Sequence, residues 1–290
     1  MLDFNHVEHV QQVGRKIRER RSKENKMIRI CSDKDKEVLL QFLKSDPLLH
    51  TYIIADMERY GFDKPYQSIY MIENESFCEG VFLKYYNNLI FSKTAENIDP
   101  EEISRYIFPE ITNIMGELEV VKKVAGYMGV TDRMTVHNLY AQKKAAKLPD
   151  CGLSHIRTAG LQDVDVIYDF LMSFPEFRET YARKEMIENR IEKGEGIHIL
   201  MEKEGKIIAH GNSAASTDEA CFLGGICVAP GRQKNGYAAA IVQALCTEIH
   251  KQHRIPCMFA PEEKEYTVFH RLGFEKYGKW GTIQMKGDNR

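Results

Sequence analysis

Two passes of the same element order run through this 290-residue chain, and any fold must accommodate both. In the first, 27–31 is a short apolar strand, and Ser32 precedes a helix over 33–43 with Val38, Leu39 and Phe42 on one face. Asp46 and Pro47 open a second helix over 48–60, which Gly61 stops. Strand-like runs follow at 66–72, 78–86 and 88–92. Pro100 starts a helix toward Ile114 with a break at Pro109, and 117–145 reads as strand, helix and strand. Lys147-Leu148-Pro149-Asp150-Cys151-Gly152 is a linker by composition.

Beyond the linker the order begins again. It runs from a strand at 155–157 through helices at 162–174 and 183–193 to strands at 197–202, 206–213 and 220–228. A helix over 236–252, a strand at 256–259, a helix over 262–272 and strands around Phe274 and at 282–285 complete it. The expectation is α/β (α+β), with two similar domains at 27–146 and 153–290, each a mixed, mostly antiparallel sheet flanked by helices. A helical arm over 1–26 precedes them, with Val7, Val10, Val13 and Ile17 at helical spacing and a basic cluster interrupted by Glu19.

Lys and Arg number 40 against 42 acids, so the net charge of −2 supplies no overall drive toward nucleic acid or acidic lipid, and neither is expected as a partner. Seven cysteines, odd in number and scattered without a CxxC, predict free thiols in a reducing, cytoplasmic setting. No apolar run approaches the ~20 residues that span a bilayer, and the first 26 residues hold no signal-peptide core. His250 and His253 share a helix end without a third ligand, so no metal is expected.

Chemistry concentrates in residues 223–239. A buried apolar strand ends at Pro230, a polar loop of Gly231, Arg232, Gln233, Lys234 and Asn235 intervenes, and an apolar-striped helix begins near Gly236. In such a geometry free backbone N–H groups and the helix dipole converge on an anion. A Cβ at position 236 would hold a phosphate off the backbone, Ala238 is small for a similar reason, and Arg232 and Lys234 add charge suited to a diphosphate. The same residues also suit an ordinary strand-to-helix turn. Neither GxxxxGK[ST] nor GxGxxG occurs.

Gln233, Gly236 and Ala238 resemble the [Gln/Arg]-x-x-Gly-x-[Gly/Ala] acyl-CoA motif of the GNAT superfamily of N-acetyltransferases, and Gly224, Gly225, Pro230 and Tyr237 agree with its flanks. Phe269-His270-Arg271-Leu272-Gly273-Phe274 resembles the family's Tyr-x-x-x-Gly-Phe ending. The resemblance is strongest over 197–285, weaker over 153–196, and one of topology alone in the first half.

It implies acetyl-CoA as cosubstrate, bound by backbone groups of Ile226, Cys227 and Val228 and by the loop and helix start, Arg232, Gln233, Lys234, Asn235, Gly236, Tyr237, Ala238 and Ala239, with the thioester near Phe269. Where the family often keeps a Tyr as general acid, this chain has Phe269, so Tyr266 is the candidate acid. Phe222 stands where some members keep a catalytic Glu, which leaves His210 as candidate base or as a hydrogen-bonded structural histidine. The first half has acids, Glu96 and Asp99, where the loop would be, and is expected to be a degenerate copy. The implied activity is transfer of a short acyl group from CoA to a small-molecule or peptide amine by direct attack, in a monomer or homodimer. The rivals are a CoA-binding regulatory protein without turnover and, less favoured by the charge balance, transfer from an aminoacyl-tRNA.

Overall fold

A computed structural model describes residues 26–75, 77–94, 98–145, 155–178, 181, 183–262 and 270–285. The arm, apart from Lys26, and the linker at 147–152 lie outside the described residues.

The first pass contains β1 (Lys26–Ile30), α1 (Lys36–Leu43), α2 (Thr51–Tyr60), β2 (Gln67–Asn74), β3 (Phe77–Tyr85), β4 (Asn88–Phe91), α3 (Pro100–Ser104), β5 (Asn113–Glu117), α4 (Leu118–Met128) and β6 (Met134–Ala141). The second contains β7 (Ile156–Thr158), α5 (Val164–Met172), α6 (Glu185–Glu192), β8 (His198–Lys203), β9 (Lys206–Ser216), β10 (Ala220–Val228), α7 (Tyr237–Lys251), β11 (Ile255–Pro261) and β12 (Glu275–Gln284). The order matches that expected, except that one strand, β12, stands where two were expected around Phe274 and at 282–285, and that most of the helix predicted over 262–272 lies outside the described residues.

The largest departure is the helix drawn from Pro100 toward Ile114. α3 stops at Ser104, and turns lead past Pro109, which has no N–H for a helical bond, into β5, where Ile114 is fully buried.

The chain divides into two compact units, each gathered from separate stretches: 26–46, 56–135 and 280–285 in one, 47–55 and 136–279 in the other. Sequence reading places contiguous domains at 27–146 and 153–290; strand pairing explains the difference. β6 pairs antiparallel with β11, Cys257↔Ala141 through Pro261↔His137, which places it in the second unit. The end of β12 pairs antiparallel with β5, Trp280↔Glu117 through Gln284↔Asn113, which places it in the first.

The first unit has strand order β1-β2-β3-β4-β5-β12, with β4 and β5 its parallel pair. Its core joins Phe82, Phe91, Ile114 and Ile283 to Val121 and Val124 of α4. Gly116, at φ +149°, lets β5 approach β4: a Cβ there would clash with the Phe91 carbonyl oxygen. That neighbour is backbone and cannot swing away. Gly116→Ala is expected to cost about 3 kcal/mol and to lower the thermal midpoint by roughly 10 °C, read by circular dichroism.

The second unit has strand order β6-β11-β10-β9-β8-β7. α7 packs Ile241, Leu245 and Ile249 against one face, coming close at Gly211, where a Cβ would lie 2.5 Å from Ile241 Cγ2. α5 and α6 cover the other face through Val164, Ile167, Leu171 and Ile187, which cluster with Leu200 and Cys227. This is a mixed sheet flanked by helices, and its parallel pair, β10 and β11, lies beside the candidate site.

Candidate functional site

The parallel pairing of β10 with β11 runs Ala220↔Ile255, Cys221↔Pro256 and Phe222↔Cys257, then ends. β11 continues beside β6, while β10 continues beside β9 through a bulge that sets the step from Gly224 to Cys227 against Asn212 to His210. Beyond Phe222 the two strands diverge, which leaves the β11-side edge of Leu223–Val228 outside the ladder. Ile226, Cys227 and Val228 lie on this stretch. At the last paired position Phe222 lies in an aromatic cluster, 4.8 Å from Phe259 and 5.0 Å from Tyr52, centroid to centroid.

The loop after β10 is held by its own side chains. Gly231 N–H donates to Gln233 Oε1 at 3.0 Å, and Asn235 Nδ2 donates to the Arg232 carbonyl at 3.0 Å. Gly231, Lys234 and Gly236 all take positive φ, +76°, +66° and +80°, a backbone that curls N–H groups toward a concave surface. The first helical bond back along α7 comes from Ala240 N–H to Gly236 O, so the N–H groups of Tyr237, Ala238 and Ala239 have no partner within the helix. Space is open beside Gly236, with no atom within 4 Å of where a Cβ would stand. Gln233, Lys234, Asn235 and Ala238 are exposed, and Arg232, Tyr237 and Ala239 half-buried. A diphosphate fits this cradle of free donors and two cations.

On the α5/α6 face of the sheet lies a set of buried polar groups. His210, on β9, is fully buried; its Nδ1 lies 2.9 Å from the Gly225 carbonyl oxygen and its Nε2 lies 3.0 Å from Nδ1 of His198 on β8. Burial drives both rings toward neutrality, His210 down to about 4 and His198 down to about 3. Both nitrogens of His210 are thus engaged inside the protein, the arrangement of the hydrogen-bonded histidine rather than of an exposed base. Asn212 donates to Tyr181 Oη at 2.8 Å, and a Cβ on Gly225 would lie 2.7 Å from that same oxygen. Arg190 donates to Ser213 O at 2.6 Å and to Ala214 O. The Cys227 thiol is pushed up to about 12, chiefly by burial and then by Glu176.

Tyr266 and Phe269 lie outside the described residues. His198, Asn212, Tyr181 and Arg190 are the members sequence reading passed over. Their trace was a buried strand, β9, carrying His210 and Asn212 two residues apart on one face. Among the described residues no three metal-ligating side chains come together.

Residues 164–274 match the model of the acetyltransferase (GNAT) family. The fold is that of the GNAT acetyltransferases. A GCN5-related N-acetyltransferase from Sphaerobacter thermophilus superposes with TM-score 0.60 at 9% identity, over 90% of this chain and 96% of that one. A Drosophila protein superposes at 0.62 and 14% identity, over 88% and 98%. A tandem GNAT protein from the clavulanic acid biosynthesis pathway gives 0.52 and 12%, over 91% and 100%. No curated protein matches the chain.

Within the GNAT fold the first unit offers a contrast. β4 and β5 pair in parallel along the whole of β4, from Asn88↔Asn113 to Phe91↔Gly116, with no divergence. α3 has five residues, and its N-terminus is already capped, since the Asp99 carboxylate accepts from Glu101 N–H. A carboxylate occupies the place a phosphate would need.

Proposed function

We propose that the second unit transfers an acetyl or other short acyl group from acyl-CoA to an amine, and that the first is a degenerate copy without CoA. The divergence of β10 from β11 after Phe222 carries this reading, because it provides backbone edge for a pantetheine arm directly beside the loop for its diphosphate. Ile226, Cys227 and Val228 supply that edge. Arg232 to Ala239 receive the diphosphate.

Transfer is direct within a ternary complex. The amine nitrogen attacks the thioester carbonyl carbon; the carbon–nitrogen bond forms and the carbon–sulfur bond breaks. Sulfur leaves as CoA thiolate and takes up a proton, while the nitrogen gives one up to water. A backbone N–H of the bulge polarises the carbonyl as charge develops on its oxygen. An acyl-cysteine route finds no support, because Cys227 holds its proton at neutral pH. The acceptor is a small-molecule or peptide amine, and the setting cytoplasmic.

A second reading, a CoA-binding regulator without turnover, draws on Phe222 and on the internal engagement of His210. Calorimetric titration with acetyl-CoA and CoA is expected to give micromolar binding of both. CoA release with an amine panel then separates enzyme from regulator. No heat with either ligand ends both readings.

A further inference from the structure

Hydrogen-bond counting gives the histidine chain a direction. A carbonyl oxygen only accepts, so the contact between His210 Nδ1 and Gly225 O requires the proton on Nδ1. A neutral imidazole carries one such proton, which makes His210 Nε2 an acceptor. His198 must then donate from its own Nδ1. His198 Nε2 is left as a buried lone pair with no hydrogen-bond partner among the described residues, and the nearby Arg190 cation opposes a proton there. The order is therefore fixed: His198 donates to His210, and His210 donates to the Gly225 carbonyl.

That carbonyl sits in the bulge, where the strand ladder is interrupted. Gly225 has φ +56° and no side chain to hold it, so its peptide plane needs an external anchor. The peptide is trans and planar, so a carbonyl fixed toward His210 sends the N–H of Ile226 in the opposite direction. The Cys227 thiol also donates to the Gly225 oxygen at 3.6 Å, so replacing His210 by an apolar residue would leave the plane held by that weak bond alone.

We propose that His198 and His210 are positioning residues for acyl transfer: they pin the Gly225 carbonyl so that the Ile226 N–H is presented to the thioester carbonyl. The inference rests on the acyl-CoA reading above. His210 supplies the donor, and His198 locks His210 in the tautomer that keeps that donor on Nδ1.

The test uses the full chain labelled with 15N-isoleucine, the Ile226 signal being assigned by its loss in Ile226→Val. CoA and acetyl-CoA are titrated in parallel by calorimetry and by amide shift. The wild-type Ile226 amide proton is expected to move downfield with acetyl-CoA and not with CoA. His210→Leu is expected to lose that shift, to bind CoA within about two-fold of wild type, and to turn over an accepted amine about 100-fold more slowly. His210→Asn, which keeps a donor near the Nδ1 position, should recover at least about ten-fold of that loss.

CoA binding with an Ile226 amide that does not distinguish the two ligands overturns the inference and leaves the acyl-CoA reading standing. Unchanged turnover in His210→Leu also overturns it, as does a loss appearing wholly in CoA affinity. If His210→Leu does not fold, His210→Gln, whose donor cannot reach from the Nδ1 position, is compared with His210→Asn: a larger turnover loss in His210→Gln is expected, and equal turnover in the two overturns the inference. Absence of CoA binding removes both proposals, and calorimetry reads that first.

Discussion

Replacing Ala238 by Glu is expected to weaken CoA binding about 100-fold and to leave the thermal midpoint near that of wild type. Ala238 is exposed and is the second residue of α7, where the helix's free N–H groups converge. An acid in a first helical turn is favourable by roughly 0.3–1 kcal/mol, so the fold has no reason to suffer. A bound diphosphate, in contrast, would meet a carboxylate. At about 5 Å and an effective dielectric near 40, each pair of like charges costs about 1.7 kcal/mol, so two phosphate charges cost about 3.3 kcal/mol, enough for the ~2.7 kcal/mol that a 100-fold change requires. Ala238→Gln has nearly the same size without the charge, and should lose far less. Gly236 is a poorer place for this test, because its φ of +80° would strain any other residue. Calorimetric titration of the three proteins decides the matter. Equal affinity in wild type and Ala238→Glu would remove the loop from the binding site.

Periodicity and capping reveal most of the elements, because each depends on neighbours in sequence. β10 runs over 220–228 as its apolar pattern predicts, and α7 starts within one residue of Gly236. The exchange of β6 and the end of β12 between units was not legible, since strand pairing is long-range and either strand reads the same beside any partner. The turn-rich 105–112 was mistaken for helix because Ile107, Ile111 and Ile114 keep helical spacing, a pattern that Pro109 defeats. The loop proposed for the diphosphate announces itself through glycines and cations close in sequence. The histidine chain does not: His198, His210 and Gly225 meet only through strand register and a bulge.

The same two histidines make stability sensitive to mild acid. In the unfolded chain both titrate near 6.5, while burial holds them near 3 and 4 in the folded protein. Their contribution is fully present above the unfolded value and is lost as pH falls toward the folded ones. At pH 5 unfolding should therefore take up nearly two protons at this pair, a loss of roughly 2 kcal/mol for each ring relative to pH 7. His137 and His250, also lowered by burial, act in the same direction. Asp35, held down to about 2 chiefly by Arg29, and Asp163, held down by Arg157, act only at lower pH. Asp56, pushed up to about 7 by burial, acts in the opposite sense over this window, so only the difference between proteins isolates the histidines. Urea midpoints between pH 7 and 5 should fall more in wild type than in the His198→Gln/His210→Asn double variant. The slope is the deciding quantity, because the double variant starts from a different absolute stability. Equal slopes would mean that the two rings take up no protons on unfolding, and the tautomer order from His198 to Gly225 would lose its basis.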